Sequence, residues 1–306
     1  MRVVIAVDAT RRRAEAVRQA ASRSWPEGTV FLLLYILDPF PFAETPMFLA
    51  AAEAAASAQL KVFAEELDAQ GWKTETQVLV GRPRQAIAAA ANSWKADMLM
   101  VGSNQTGALA RLVLGSTARS VLREATCPVE IVRPLPRKAA PARGTRILVA
   151  TDGSEFSTAA LRFVAGRPWP KGSEARVISI PEPFVPLSQF PPFESKEIEN
   201  LNISALKSAN QYVTAGAEIL SKAGLEATTE VPFPEHKNAK EIIQEARRWR
   251  ANIIVLGSHG RRGFDRMRLG SVSESVAMHA PCSVEVIPPG VAKGSTKDIG
   301  KKGAKP

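Results

Sequence analysis

Residues 255–276 read VLGSHGRRGFDRMRLGSVSESV and place Gly257, Gly260 and the pair Gly270-Ser271 in the spacing Gly-x2-Gly-x9-Gly-Ser. The residues leading in, Ile253, Ile254, Val255 and Leu256, are an unbroken apolar run of strand length, and those after Gly270 carry a helical pattern. The glycines therefore sit where a strand crosses into a helix. Such crossings gather free backbone N–H groups and the positive end of a helix dipole at one point, which suits an anion and most often a phosphate. Ser271 with Glu274 also spells S-x-x-E, a capping box that would satisfy helix N–H groups without any ligand. Both uses can coexist, because a helix start has more orphan N–H groups than one box consumes.

The same frame occurs twice in the chain. MRVVIAVDAT (1–10) lies over TRILVATDGS (145–154), each an apolar strand ending in an aspartate, Asp8 or Asp152. Near the other end, GSTARSVLREATCPVEIVRP (115–134) lies over GSVSESVAMHAPCSVEVIPP (270–289), pairing Gly115 with Gly270, Cys127 with Cys282 and Glu130 with Glu285. The offset grows from 144 to 155, so the second copy holds about eleven extra residues, best placed in the Pro-rich PEPFVPLSQFPPFESKE (181–197). The expected organisation is a first domain over 1–134, a linker over 135–144, a second domain over 145–290 and a basic tail over 291–306. Within each copy, apolar strands alternate with amphipathic helices, so each domain is expected to be α/β, a mostly parallel sheet with helices on both faces. Ligands of such sheets bind beyond the carboxyl ends of the strands, where Asp152 and Gly257 can share one crevice.

The net charge of +10 and pI near 9.9 have to be located before they are interpreted. Much of the excess lies in the tail, whose five lysines stand against one aspartate without apolar periodicity, as in a disordered segment dispensable for folding. There is no basic stripe with interleaved aromatics and no zinc-ligand spacing, so nucleic acid is not an expected partner. No apolar run approaches the roughly 20 residues that span a bilayer, and the charged start does not read as a signal peptide, so no membrane is expected and the cytoplasm is the expected compartment. Cys127 and Cys282 hold equivalent positions in the two copies, which points to buried packing thiols rather than a redox pair.

On the glycine spacing, the strand-end TDGS of Asp152, Gly153 and Ser154, and the ending APCSVEVI, the chain resembles the universal stress proteins in their tandem two-domain form. The resemblance implies a Rossmann-like, adenine-nucleotide alpha-hydrolase-like fold with a five-stranded parallel sheet per domain. It implies ATP, with or without magnesium, as the ligand. Carried over residue by residue, it puts Asp152 beside the adenine or ribose, with Gly153 allowing close approach and Ser154 next to them. Gly257 and Gly260 would let the loop curl around the phosphates, and Gly270, Ser271, Val272 and Ser273 would present N–H and hydroxyl groups from the helix start. Val177 or Ile178 would offer a backbone contact to the base. His259 reads more simply as a solvated loop histidine, while Arg261, Arg262, Arg266 and Arg268 divide between a solvated face and phosphate contacts. No catalytic residue or metal ligand is singled out.

The first copy departs from this pattern. Gln105 stands opposite Gly260, Ala9 opposite Gly153 and Ala118 opposite Ser273, while Gly102, Gly115 and Ser116 remain and Gly107 is a neighbouring substitute. A degenerate first site is expected. The leading functional expectation is an ATP-binding stress or regulatory protein. A slow ATP hydrolase or nucleotidyl-transferring enzyme is the first alternative, although no G-x4-GK[ST] loop and no positioned base are present. A ligand-free interaction scaffold is the second. In single-domain relatives the last strand region commonly mediates dimers, so the two copies are expected to make that contact within one chain, with a homodimer left open.

Overall fold

The computed structural model describes residues 1–8, 15–39, 46–103, 114–134, 144–182, 195–233, 238–261 and 269–288. The linker 135–143, most of the Pro-rich insert, the tail, Ala9, Gln105, Gly107, Arg262, Arg266 and Arg268 lie outside the described residues. The first half runs β1 (Arg2–Val7), α1 (Glu15–Ala21), β2 (Val30–Leu37), α2 (Pro46–Asp68), β3 (Lys73–Val80), α3 (Pro83–Ser93), β4 (Met98–Gly102), α4 (Ser116–Glu124) and β5 (Val129–Val132). The second repeats it with β6 (Arg146–Ala150), α5 (Glu155–Ala165), β7 (Glu174–Ile178), α6 (Ser195–Lys222), β8 (Glu226–Glu230), α7 (Asn238–Arg248), β9 (Ile253–Gly257), α8 (Ser271–His279) and β10 (Ser283–Ile287).

Each half supplies five parallel strands, as expected from the alternation of elements, but the two sets do not form separate sheets. They merge into one ten-stranded sheet of order β3-β2-β1-β4-β5-β10-β9-β6-β7-β8, joined where β5 and β10 pair antiparallel. The last strand of each copy thus covers the other's open edge within one chain. One face carries a core that runs unbroken across this junction, from Val4, Leu99 and Ile131 to Val284, Ile254 and Leu148, under α3, α4, α7 and α8. The opposite face carries a separate core for each half, around Phe31 and Leu60 in the first and around Ile147 and Leu220 in the second.

The pairing of Glu130 with Glu285 in sequence becomes a contact in space. The two residues face each other across β5 and β10 and both are wholly buried. Two adjacent buried carboxylates need compensation. Arg23 grips Glu130 through both guanidinium nitrogens, the longer bond 2.6 Å, and Arg167 grips Glu285 at 2.8 and 3.0 Å. Cys127 and Cys282 are buried and form no disulfide, and burial pushes their thiols up to about 11 and about 12, which suits packing positions.

Helix α2 corrects the expectation that no segment is long and apolar enough for a membrane. Met47–Asp68 passes that test on length and composition, with a mean hydropathy of 1.2 over its most apolar window, because alanine fills it. Its stripe of Ala56, Leu60, Phe63, Ala64 and Leu67, at helical spacing, is buried on the sheet, whereas Met47 and Phe48 at its start are exposed.

Candidate functional site

A cleft of about 780 Å³ opens beyond the carboxyl ends of β6, β7 and β9, the place where a parallel sheet leaves a crevice between diverging loops. Its floor is formed by Ala150, Thr151 and Asp152 from the end of β6, Ile178 and Ser179 from β7, and Leu256 and Gly257 from β9. Ser204, Ser208 and Tyr212 of α6 make one wall, and His259, Gly260, Arg261 and the first turn of α8 make the other. Of the residues singled out in sequence, Asp152, Ile178, Gly257, Gly260, Gly270, Ser271, Val272 and Ser273 line this space together; Gly153 and Ser154 do not.

Ser154 instead caps α5, its hydroxyl accepting the Ser157 N–H at 3.2 Å. Gly153 lies beneath the Tyr212 ring with φ of +77°, and a Cβ there would stand 2.3 Å from the ring. Both the left-handed backbone and the close approach require glycine. Asp152 ties the two halves of the cleft together. Its Oδ1 accepts the Ser154 N–H at 3.1 Å and its Oδ2 accepts the Arg261 N–H at 2.8 Å, so the loop after β9 is moored to the end of β6. Burial works to raise the Asp152 pKa, but the hydrogen bonds from Ser154, Arg261 and Ser157 outweigh it and hold the group below the ordinary aspartate range. The carboxylate stays ionised and keeps lone pairs for a ligand hydroxyl.

The glycines of the motif also have a reason within the protein itself. A Cβ on Gly260 would meet Asp152 Oδ2 at 2.9 Å, one on Gly257 the backbone of Phe156 at 2.7 Å, and one on Gly270 the Ser258 carbonyl at 3.0 Å. The missing side chains let the loop close on its own protein frame, and that frame shapes the cleft. The capping box does not form. Gly270 is the N-cap and Ser271 the first helical residue, because Gly270 N–H is drawn to Ser258 O at 2.8 Å; among the described residues no side chain caps the helix. Glu274 turns away to Arg123 of α4 at 2.7 Å. Ser273 donates its hydroxyl to Gly257 O at 2.7 Å and so pins the helix start to β9, a tie that the buried Ala118 cannot make in the first copy. Ile178 has its carbonyl committed to the Thr151 N–H at 2.9 Å.

Several lining residues escaped sequence reasoning. Thr151 and Ser157 form a hydroxyl network under Asp152, with Thr151 Oγ1 to Ser157 Oγ at 3.0 Å, and Asn238 sits at the start of α7. Tyr212 comes from the middle of a long helix with nothing local to mark it. His259, read as solvated, packs on Phe156 with ring centroids 5.2 Å apart; its Nδ1 lies 3.0 Å from Ser258 Oγ and its buried Nε2 has no hydrogen-bond partner among the described residues.

The family model described as Universal stress protein family matches residues 1–133 and again 144–288. The chain belongs to the universal stress protein family. A universal stress protein of Mycolicibacterium smegmatis is 27% identical over 300 residues, covering 94% of this chain and 97% of the relative. Another, from Thermus aquaticus, is 32% identical over 133 residues, covering 43% of this chain and 97% of its own length, so it corresponds to a single copy of the repeat. The solved universal stress protein of Archaeoglobus fulgidus superposes with a TM-score of 0.64 at 20% identity, covering 94% of this chain and 96% of that one, and shares the fold. The chain is thus a tandem member of a family named for stress, two universal stress protein domains joined through their last strands.

Proposed function

We propose that this universal stress protein binds ATP in the cleft of its second domain and serves as a regulatory, stress-related nucleotide-binding protein. The observation that carries the reading is the start of α8: its N-cap is a glycine, no side chain among the described residues caps it, and its first turn faces the cleft. Uncapped first-turn N–H groups at the positive end of a helix are a phosphate site. The cleft falls within the roughly 300–1,000 Å³ usual for ligand pockets, and it offers apolar Ile178, Ile242 and Leu256 for a base beside the ionised Asp152 for a sugar hydroxyl. Magnesium would travel on the phosphates, since among the described residues no three carboxylate, histidine or thiol groups gather around a metal. The second domain carries the site in this reading, because Ala118 replaces the Ser273 tie in the first.

A slow hydrolase is the second reading, favoured by the unpartnered His259 Nε2 on the cleft wall, which could take a proton from water. Denaturing the purified protein and identifying the released nucleotide by chromatography tests the first reading, with ATP or ADP at up to one per chain as the expected result. Absence of any nucleotide, together with no uptake of added ATP, would refute it. Slow phosphate release that is lost in His259→Ala would favour the hydrolase, and release on the order of 1 per second or faster, as in ordinary enzymes, would overturn the binding-only reading.

A further inference from the structure

Arg133 directly follows the first domain's last strand and is only 3% exposed, yet no carboxylate among the described residues pairs with it. Its guanidinium crosses the domain boundary and donates to Ala277 O and, at 3.2 Å, to Met278 O, carbonyls in the last turn of α8, and at 3.3 Å to Cys282 O beyond it. Its own N–H donates to Ser283 Oγ at 3.1 Å, which fixes its approach. A cation buried on backbone carbonyls, two of them in the last turn of a helix, is an unusual arrangement, because burial disfavours its charge and pushes its pKa down to about 10.

The helix it caps is the one whose other end faces the cleft. Nine residues make α8 about 13.5 Å long, with a partial negative pole at the end that Arg133 occupies and a partial positive pole at Gly270 and Ser271. A full positive charge on the negative pole leaves the positive pole to act on the cleft without its opposing partner. The first domain acts at the other end too. Arg123 and Arg119 of α4 reach Glu274 at 2.7 and 3.8 Å, neutralising the acidic residue in the first turn of α8 that would otherwise repel an anion. The arrangement is not returned. With the offset of 155, the position of Arg133 is held in the second copy by Pro288, which has no charge to give to α4.

We propose that Arg133 is a positioning residue for phosphate binding in the second domain: through α8, the first domain sets the affinity of its partner's cleft for the charged part of the nucleotide. This rests on the ATP-binding reading above. A unit charge about 15 Å from a phosphate, at an effective dielectric near 20, is worth about sixfold in affinity per unit of phosphate charge before salt screening.

The test is calorimetric titration of the full chain with ATP and, separately, with adenosine, which lacks phosphate. Arg133→Met is expected to weaken ATP by about three- to tenfold and to leave adenosine unchanged, while Arg133→Lys keeps most of the ATP preference. If Arg133→Met does not fold, Arg133→Gln against Arg133→Lys reads the same difference in charge. Equal loss of ATP and adenosine would make Arg133 merely structural and overturn the inference, as would an ATP affinity that no variant alters. A wild type that holds neither ligand overturns the nucleotide reading and this inference with it; a wild type that binds ATP beside variants with undiminished preference for it overturns the inference alone.

Discussion

Gly153→Ala tests how the cleft wall is held. The residue has φ of +77°, a conformation that costs an alanine roughly 1–2 kcal/mol. The added Cβ would also lie 2.3, 2.5 and 2.6 Å from three atoms of the Tyr212 ring, well inside contact distance. The ring must swing off the end of β6, and such overpacking costs about 1–3 kcal/mol more. The expected total is about 2–5 kcal/mol, read as a lower midpoint in urea unfolding. Removing the ring first separates the two parts. In a Tyr212→Ala background, Gly153→Ala should cost only the backbone strain of about 1–2 kcal/mol, giving a coupling of at least about 1 kcal/mol between the sites. The single variant should also bind ATP more weakly, because Tyr212 lines the cleft. Additive costs, with Gly153→Ala equally damaging in both backgrounds, would refute the packing of Gly153 under Tyr212.

Further predictions concern the buried charges and the caps. Arg167→Met leaves Glu285 wholly buried and unpaired, so it should cost about 3–5 kcal/mol at neutral pH. Burial already raises the Glu285 pKa despite the Arg167 charge, so the folded state holds its proton more readily than the unfolded one. The cost should therefore shrink as pH falls towards the carboxylate range, and a cost independent of pH would argue against a charged Glu285. Asp152 is the opposite case: its folded pKa is depressed, so its contribution is present above the ordinary aspartate pKa of about 3.9 and is lost as pH falls through the folded value. Asp152→Asn should flatten acid unfolding over that window and loosen the loop at Arg261, which amide exchange of Arg261 would report. Ser154→Ala removes the α5 cap and should lower stability by about 1 kcal/mol in urea titration.

Much of the fold was legible because it is written twice. The shared aspartate, Gly-Ser and Cys positions mark equivalent strand ends and helix starts, and two strands that align in sequence, those of Glu130 and Glu285, prove to be neighbours in space. Nothing in VEIV or VEVI themselves specifies an antiparallel partner; the expectation that the two copies meet through their last strands comes from the family resemblance, and the pairing of β5 with β10 that makes one sheet of two agrees with it. The site was legible as a set of loops but not in its detail. Ser271-x-x-Glu274 satisfies the capping pattern, yet the helix starts one residue too early for it, because a tertiary hydrogen bond from Gly270 to Ser258 sets the register. The glycines were found by spacing, while their close neighbours, Asp152, Phe156 and Ser258, appear only once the chain is folded. Tyr212 and Arg133 carry no local signature. Both act at long range in sequence, one over Gly153 and the other on Ala277, 144 residues away.

The most direct measurement is amide hydrogen exchange across the chain with and without ATP. If the phosphates sit at the start of α8, the N–H groups of Ser271, Val272 and Ser273 should exchange more slowly with ATP and not with adenosine, while those of Ser116, Thr117 and Ala118 in the first copy stay unchanged. Equal protection of both helix starts, or none at Ser271–Ser273 under saturating ATP, would contradict a single phosphate site in the second domain.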